Sequence, residues 1–380
     1  MATDGSGKDG YDWLYGDRPA TPPPASDPGD VQPTQVAPQP DLPPPNLPPP
    51  GGGRPTPSRP PKPPRKRKPW RWVRTILLLW LAFLIAVPIW AWLQIGKVDA
   101  EPNSARPGDQ PGTTYLLVGS DSRRGLSAEQ RKELKTGKDT GGRGRTDTIM
   151  LMHVGSGPTL LMSIPRDSLV SIPGRGTTKI NAAYAFGGPE LLVRTIEKNT
   201  GIRVDNYIEV GFGGFVNVVD AVGGIQICPK TDIKDPDAGI NLKKGCQEVD
   251  GATALGYSRS RHTYATQDIQ RVQSQREVLG AIAGEVKSPW TVLNPFRYAG
   301  IASGASKSLQ IGNNVGPVAL ARFGWNLSAA MSGSGLNCTV PLADFSVRWD
   351  AARSKKMFDY IKTDNTAAIG SLCTANGLPK

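Results

Sequence analysis

The sequence predicts an α/β sandwich around one mixed β-sheet, preceded by a transmembrane helix and a disordered N-terminal tail. Three observations carry this. From Thr113 onward, short β-rich runs alternate with helical patterns, the order expected when helices cover a sheet. The stretch from Thr75 to Ile95 contains no charged residue. Of the 36 prolines, 21 lie before Trp70, so composition divides the chain too unevenly for two comparable domains.

Residues 1–69 carry proline runs such as Thr21-Pro22-Pro23-Pro24 and almost no aliphatic side chains. Such a segment cannot bury enough apolar surface to offset its ordering entropy and reads as a disordered cytoplasmic tail. A basic cluster, Arg65-Lys66-Arg67-Lys68 with Arg71 and Arg74, opens the next segment, 70–97. Within it the 21 residues from Thr75 to Ile95 span about 30 Å as a helix, the thickness of a bilayer's hydrocarbon core. Trp70, Trp72, Trp90 and Trp92 stand near its two ends, where aromatic belts form. The positive flank holds the N-terminal side in the cytoplasm, which puts residues 98–112, a linker, and 113–380, the main domain, outside. Val98-Asp99-Ala100 roughly fits a cleavage site, but the long leading region and long apolar run favour an uncleaved anchor. The basic cluster supplies much of the net charge of +12, so overall charge does not point to nucleic acid.

Within the domain the elements are read in order. Strands are expected at Tyr115–Val118, Thr148–Met152 and Thr159–Ile164, the last two joined by the turn Gly155-Ser156-Gly157-Pro158. Gly125–Gly144 is polar and glycine-rich and reads as a mobile loop. A helix opens at Gly188-Pro189 and runs to about Asn199. A strand at Asn206–Val210 is followed by an apolar helix, Phe212–Val222, which stops at Gly223-Gly224 before a strand at Ile225–Cys228. Further helices start at Asp250 and Asp268, the second reaching Val286, and two more cover Pro317–Ala330 and Asp350–Lys362.

All four cysteines, Cys228, Cys246, Cys338 and Cys373, fall after the anchor. An even number outside a membrane fits two disulfides. Three pairings are open, of which the sequence-local one, Cys228 with Cys246 and Cys338 with Cys373, is the simplest. The only histidines are His153 and His262 and no CxxC occurs, so a zinc or iron site has little support.

Charged residues cluster at strand ends and glycine-rich turns. Asp121 follows a strand, where ligands of open α/β sheets collect. Arg145 and Asp147 are two apart at a strand start and share a face. Arg166 follows another strand, Lys179 precedes Ile180-Asn181, and Arg259 and Arg261 form a second same-side pair if that segment is extended. In the long helix Asp268, Arg271 and Gln275 share one face. Singly these residues are unremarkable. Together they combine hard carboxylate oxygens for a magnesium ion with guanidinium forks for a pyrophosphate. The stretch Tyr184–Val222, with Phe186, Leu191, Leu192, Ile196, Phe212, Phe215 and Val219, is a candidate lining for an apolar groove.

The segments LLVGSDSRRG, GRTDTIMLMHV, LLMSIPRDSLVSIPG, TKINAAYAFGG, YIEVGFGGFVNVVDAVGGIQI, ALGYSRSRH and DIQRVQSQREVL resemble, in this order, the motifs of the LytR-CpsA-Psr family. The resemblance covers about Thr113 to Val286. It implies magnesium-dependent transfer of a polyprenyl-pyrophosphate-linked glycopolymer, such as arabinogalactan or teichoic acid, onto a peptidoglycan hydroxyl. By the same resemblance Asp121 and Asp147 match metal-binding aspartates, and Arg145, Arg166, Arg259 and Arg261 match pyrophosphate-binding arginines. Lys179, Asp268, Arg271 and Gln275 match further polar motif positions. Ser274 stands where the family often has arginine. A carboxylate held on a metal is a poor base, so no general base is assigned.

Competing readings use different parts of the chain. A polyprenyl-pyrophosphate hydrolase would use the same site with water as acceptor, and a non-catalytic wall-binding protein would tolerate loss of the aspartates. A membrane-tethered transcriptional regulator needs a cytoplasmic DNA-binding unit, and the tail shows no helix-turn-helix pattern.

Overall fold

The computed structural model describes residues 69–121, 146–260, 267–344 and 346–379, together with 129, 132, 134 and 144. The proline-rich tail to residue 68, most of the Gly125–Gly144 loop, Arg145 and Arg261 lie outside the described residues.

Helix α1, Pro69–Gln94, contains the charge-free run except its last residue, Ile95, and is long and apolar enough to cross a membrane. It leads into a short strand β1, Gly96–Val98, which pairs in parallel with β12, Leu309–Gly312. The sheet therefore takes an edge strand from just behind the anchor, ahead of the Thr113 start that the hydrophobic pattern suggests. Three residues, GKV, are too few to display a period of two.

The central strands are β2, Thr113–Ser120, β3, Thr146–Val154, β4, Leu160–Ser163, and β7, Asn206–Gly211. With β13, Leu336–Thr339, they complete a seven-stranded sheet ordered β1-β12-β7-β2-β3-β4-β13. Its pairing is mixed: β2 runs parallel to β7 and antiparallel to β3. Successive side chains of a strand point to opposite faces. Leu116, Val118, Ile149, Leu151 and Met162 accordingly enter one core, beneath α2, Asn181–Thr200, and α9, Ala351–Lys362. Tyr115, Leu117, Met150, Met152 and Leu161 enter a second, beneath α8, Pro317–Ala329, and the end of α1. The α/β sandwich around a mixed sheet is as the sequence predicts.

A third core lies beside the sheet. It joins α3, Phe212–Ala221, α4, Gly251–Arg259, and α5, Gln267–Val286, to the strand pairs β8–β11, Ile225–Ile227 with Gln247–Val249, and β9–β10, Ile233–Asp235 with Ile240–Leu242. The two sequence-local disulfides, Cys228–Cys246 and Cys338–Cys373, are both present.

Several boundaries differ from the sequence reading. Helix α2 starts at Asn181 and breaks at Gly188, whose φ of 67° stops the first segment before Pro189 opens the second. The hairpin β5–β6, Leu169–Ile172 with Gly176–Lys179, has no apolar alternation to announce it. Two helices, α6, Pro289–Leu293, and α7, Pro295–Ser308, fall where the sequence reading assigns no element, although proline at each first position marks a helix start.

Candidate functional site

The site forms where β2 ends and β3 begins. These strands pair residue for residue until Gly119 faces Thr148, and then Ser120 faces Thr146. Asp147 is thus the extra residue of a β-bulge, a device that re-aims one side chain out of the pleat. Asp121 follows Ser120 directly on the neighbouring strand. The φ of 72° at Gly144 favours glycine for its backbone conformation, and a Cβ there would displace the Asp121 carboxylate. Among the carboxylates named from sequence, these two therefore sit at adjacent strand ends.

Arg166 follows β4 in a turn fixed by the Ser168 amide donating to Pro165 O at 3.0 Å and the Asn181 amide donating to Arg166 O at 3.2 Å. Its Nη1 donates to Asp147 Oδ1 at 2.5 Å, joining the bulge to the β4 turn. Lys179 reaches a different acid: its Nζ lies 3.1 Å from Asp167 Oδ1. Arg166, Asp167 and Lys179 line an open pocket against the start of α2, together with Ala182, Ala185 and Phe186.

The opposite wall comes from α4 and α5. Asp250 caps α4 by accepting the Thr253 amide at 2.8 Å, and the helix continues through Arg259. Arg259 is therefore helical, which corrects the extended segment assumed for the Arg259–Arg261 pair. Burial of Leu255 and Tyr257 supplies the packing that the serine-punctuated sequence hides. The Arg259 guanidinium lies 4.8 Å over the Phe212 ring and donates to Leu134 O at 3.2 Å. From α5, Arg271 is 2 % exposed and Gln275 8 %. Both line the cleft, Arg271 at its polar end and Gln275 at its apolar end. The side chain of Asp268 lies outside the described residues.

The cleft is continuous in residues but divided in chemistry. Its polar part is lined by Asp147, Asp235, Asp237, Ser258, Arg259 and Arg271. Its apolar part runs over Leu117, Val210, Phe212, Phe215, Val278 and Leu279. Asp147, Ser258 and Arg259 belong to both. Of the groove residues expected from sequence, Phe212 and Phe215 are in place. Leu191, Leu192 and Ile196 pack with the α2 core, and Val219 is buried in the third core. Phe186 is exposed and stacks beneath Arg175 at 5.1 Å. Tyr184 donates its hydroxyl to Glu209 Oε1 at 2.7 Å.

Three features escaped the sequence reading. Glu209 is buried on β7 and accepts from both Tyr184 and Tyr207, each at 2.7 Å. Burial and this carboxylate push the Tyr207 phenol well up. Asp235 accepts the Ser260 hydroxyl at 2.8 Å and the Asp237 and Ala238 amides at 3.1 and 3.0 Å, which ties the end of α4 to the polar wall. The segment Asp235-Pro236-Asp237-Ala238-Gly239 announces a turn but not a place in a site. Arg276 is buried on α5 and donates to Ser163 Oγ at 3.0 Å, Ala375 O at 3.1 Å, Thr339 Oγ1 at 2.9 Å, and Cys338 O. Burial lowers its pKa to about 10. It locks α5 to β13 and the C-terminal segment, and nothing in the sequence separates it from the cleft-facing Arg271.

A hard divalent cation fits the donor set at the strand ends. Asp121 and Asp147 offer carboxylate oxygens, and magnesium is commonly held by one or two carboxylates plus substrate phosphates and water. Among the described residues no group of three or more His, Cys, Asp or Glu gathers into a closed metal cage, so such an ion would depend on ligand oxygens as well.

Comparison with known proteins gives a consistent result. The profile of the LytR_cpsA_psr family matches residues 96–332. The chain is 44% identical over 295 residues to a probable cell wall biosynthesis protein, LcpB, of Corynebacterium glutamicum, covering 76% of this chain and 70% of that one. Among solved structures, a LytR-Csp2A-Psr enzyme from Actinomyces oris superposes with a TM-score of 0.57 at 21% identity, over 70% of this chain and 96% of that one. TagT bound to LIIa-WTA superposes with a TM-score of 0.50 at 24% identity, over 69% and 93%. At these identities the two structures show the same fold.

Proposed function

The chain belongs to the LytR_cpsA_psr family, and on that footing we propose that it is a membrane-anchored phosphotransferase of cell-wall assembly. Its donor is a polyprenyl-pyrophosphate-linked glycopolymer, its acceptor a peptidoglycan hydroxyl, and its domain faces the wall side of the membrane. The observation that carries this reading is the lining shared at Asp147, Ser258 and Arg259, where a polar pocket opens into an apolar cleft. That boundary suits an amphiphile with a charged head and a long hydrocarbon tail. The likeness to TagT bound to LIIa-WTA and to a cell wall biosynthesis protein supports a cell-wall glycopolymer as the group transferred.

In this reading Arg259 and Arg271 bind the pyrophosphate oxygens through charge-assisted hydrogen bonds. Arg166 holds Asp147 in its bulge, and Phe212, Phe215 and Leu279 bind the tail and exclude water. A magnesium ion held by Asp121 and Asp147 would neutralise charge on the phosphoryl oxygens, a contribution of several kcal/mol. The acceptor oxygen bonds to the sugar-side phosphorus as the bridging P–O bond breaks, the hydroxyl proton is released, and polyprenyl phosphate departs. Positioning and electrostatics supply most of the acceleration in phosphoryl transfer.

The test is the full chain in vesicles with magnesium, a polyprenyl-pyrophosphate-linked glycan and peptidoglycan fragments. Covalently glycosylated fragments are the expected product. Release of free glycan phosphate with unmodified fragments would instead establish the hydrolase.

A further inference from the structure

Helices α6 and α7 leave large apolar side chains in the open: Trp290 is 59% exposed, Leu293 64% and Phe296 85%. The contact that α7 makes with α1 through Tyr298 says what covers them. The inner stripe of α1 runs through Trp80, Phe83, Leu84, Val87 and Ala91, which are less exposed than their neighbours, at the i, i+3, i+4, i+7 spacing of one helix face. Tyr298, in the first turn of α7, meets this stripe. Its hydroxyl donates to Leu84 O at 2.9 Å, and its ring lies 5.9 Å from Phe83.

The apolar helix is 25 residues long, Trp70–Gln94, or about 37 Å, against a hydrocarbon core of about 30 Å. Wherever that core is placed along the helix, Leu84 lies inside it, about 8 to 15 Å from its domain-side edge. A partner held against Leu84 is therefore held at acyl-chain depth. The chemistry of the partner agrees. From Ser288 to Ser306 the only charge is Arg297, and it is neutralised by Glu285, 2.6 Å away. Lys287, at the α5 end, is exposed and can reach headgroups.

We propose that the segment Pro289–Tyr298 is embedded beside α1 in the leaflet nearest the domain, so that the domain docks on lipid acyl chains as well as hanging from its anchor. This rests on α1 crossing the bilayer. The same docking supports the cleft. Helix α7 carries α3 on its other side, where Gly304 lies so close that a Cβ would meet Asn217 O at 3.0 Å, and α3 supplies Phe212 and Phe215 to the apolar lining.

The experiment uses the full chain in vesicles containing a phospholipid with a photoactivatable diazirine in its acyl chain, followed by proteolysis and mass spectrometry. Label on 289–298 is expected at a yield per residue of the same order as on α1, with α9 at background. Label on α1 with 289–298 at background overturns the docking while leaving the spanning helix intact. Background label on α1 itself overturns the spanning helix, and the docking with it.

Discussion

The polar and apolar ends of the cleft meet at Asp147, Ser258 and Arg259, yet they are built on different physical terms. At the polar end each group has its own support: a bulge for Asp147, a turn for Arg166, a capped helix for Arg259. At the apolar end Leu117, Phe212, Phe215 and Leu279 are the outer layer of cores that continue beneath them. The difference teaches that damage at the polar end should be local and severe, while damage at the apolar end should be graded and shared among neighbours.

The largest effect is expected at the strand ends. Asp121→Ala and Asp147→Ala should each lower transfer by orders of magnitude and abolish magnesium dependence, because metal charge stabilisation contributes several kcal/mol. Thermal unfolding should show that the fold persists. Ordinary transfer by a double variant would break the distinction between the two ends.

Arg276 sharpens it, since it shares α5 with Arg271 but turns away from the cleft. Arg276→Ala leaves buried carbonyls without their donor and should cost roughly 3 kcal/mol of stability, read by denaturant unfolding. Affinity for a polyprenyl pyrophosphate analogue should hold under conditions where the variant stays folded.

Arg259→Ala should weaken binding of that analogue by about ten- to a hundredfold, the loss of a charge-assisted bond of roughly 1.5–3 kcal/mol. Arg259→Lys should recover only part of this, because an ammonium lacks the guanidinium fork. The smallest effect belongs to the apolar end. Phe215→Ala should cost about 1 kcal/mol of affinity, because neighbouring apolar groups continue to cover the tail. Both are measured by titration of the full chain in detergent.

The same contrast explains what could be read from the sequence. Asp121, Asp147 and Arg166 are unremarkable singly and stand out only as a set, at strand ends within segments that resemble the family's motifs. The strands β2, β3, β4 and β7 were legible because each is a run of β-branched and large apolar residues between turns. Leu192 and Ile196 were misplaced for the converse reason: an apolar helix face looks alike whether it covers a sheet or lines a groove. Arg259 was read as extended because GYSRS lacks an apolar stripe, whereas the Asp250 cap and the burial of Tyr257 hold it helical. Helices α6 and α7 were overlooked because Pro289 and Pro295 break the chain into pieces too short for a period, although each proline opens a helix.

The division of the cleft is tested most directly by a matrix of affinities. Polyprenyl monophosphates and pyrophosphates of short and long tail would be titrated into the wild-type chain, Arg259→Ala and Phe215→Ala. The expected result is that Arg259→Ala loses the preference for pyrophosphate but keeps the gain from a longer tail, and that Phe215→Ala does the reverse. Equal loss for all four ligands in both variants would contradict a single amphiphile lying across the Asp147–Arg259 boundary.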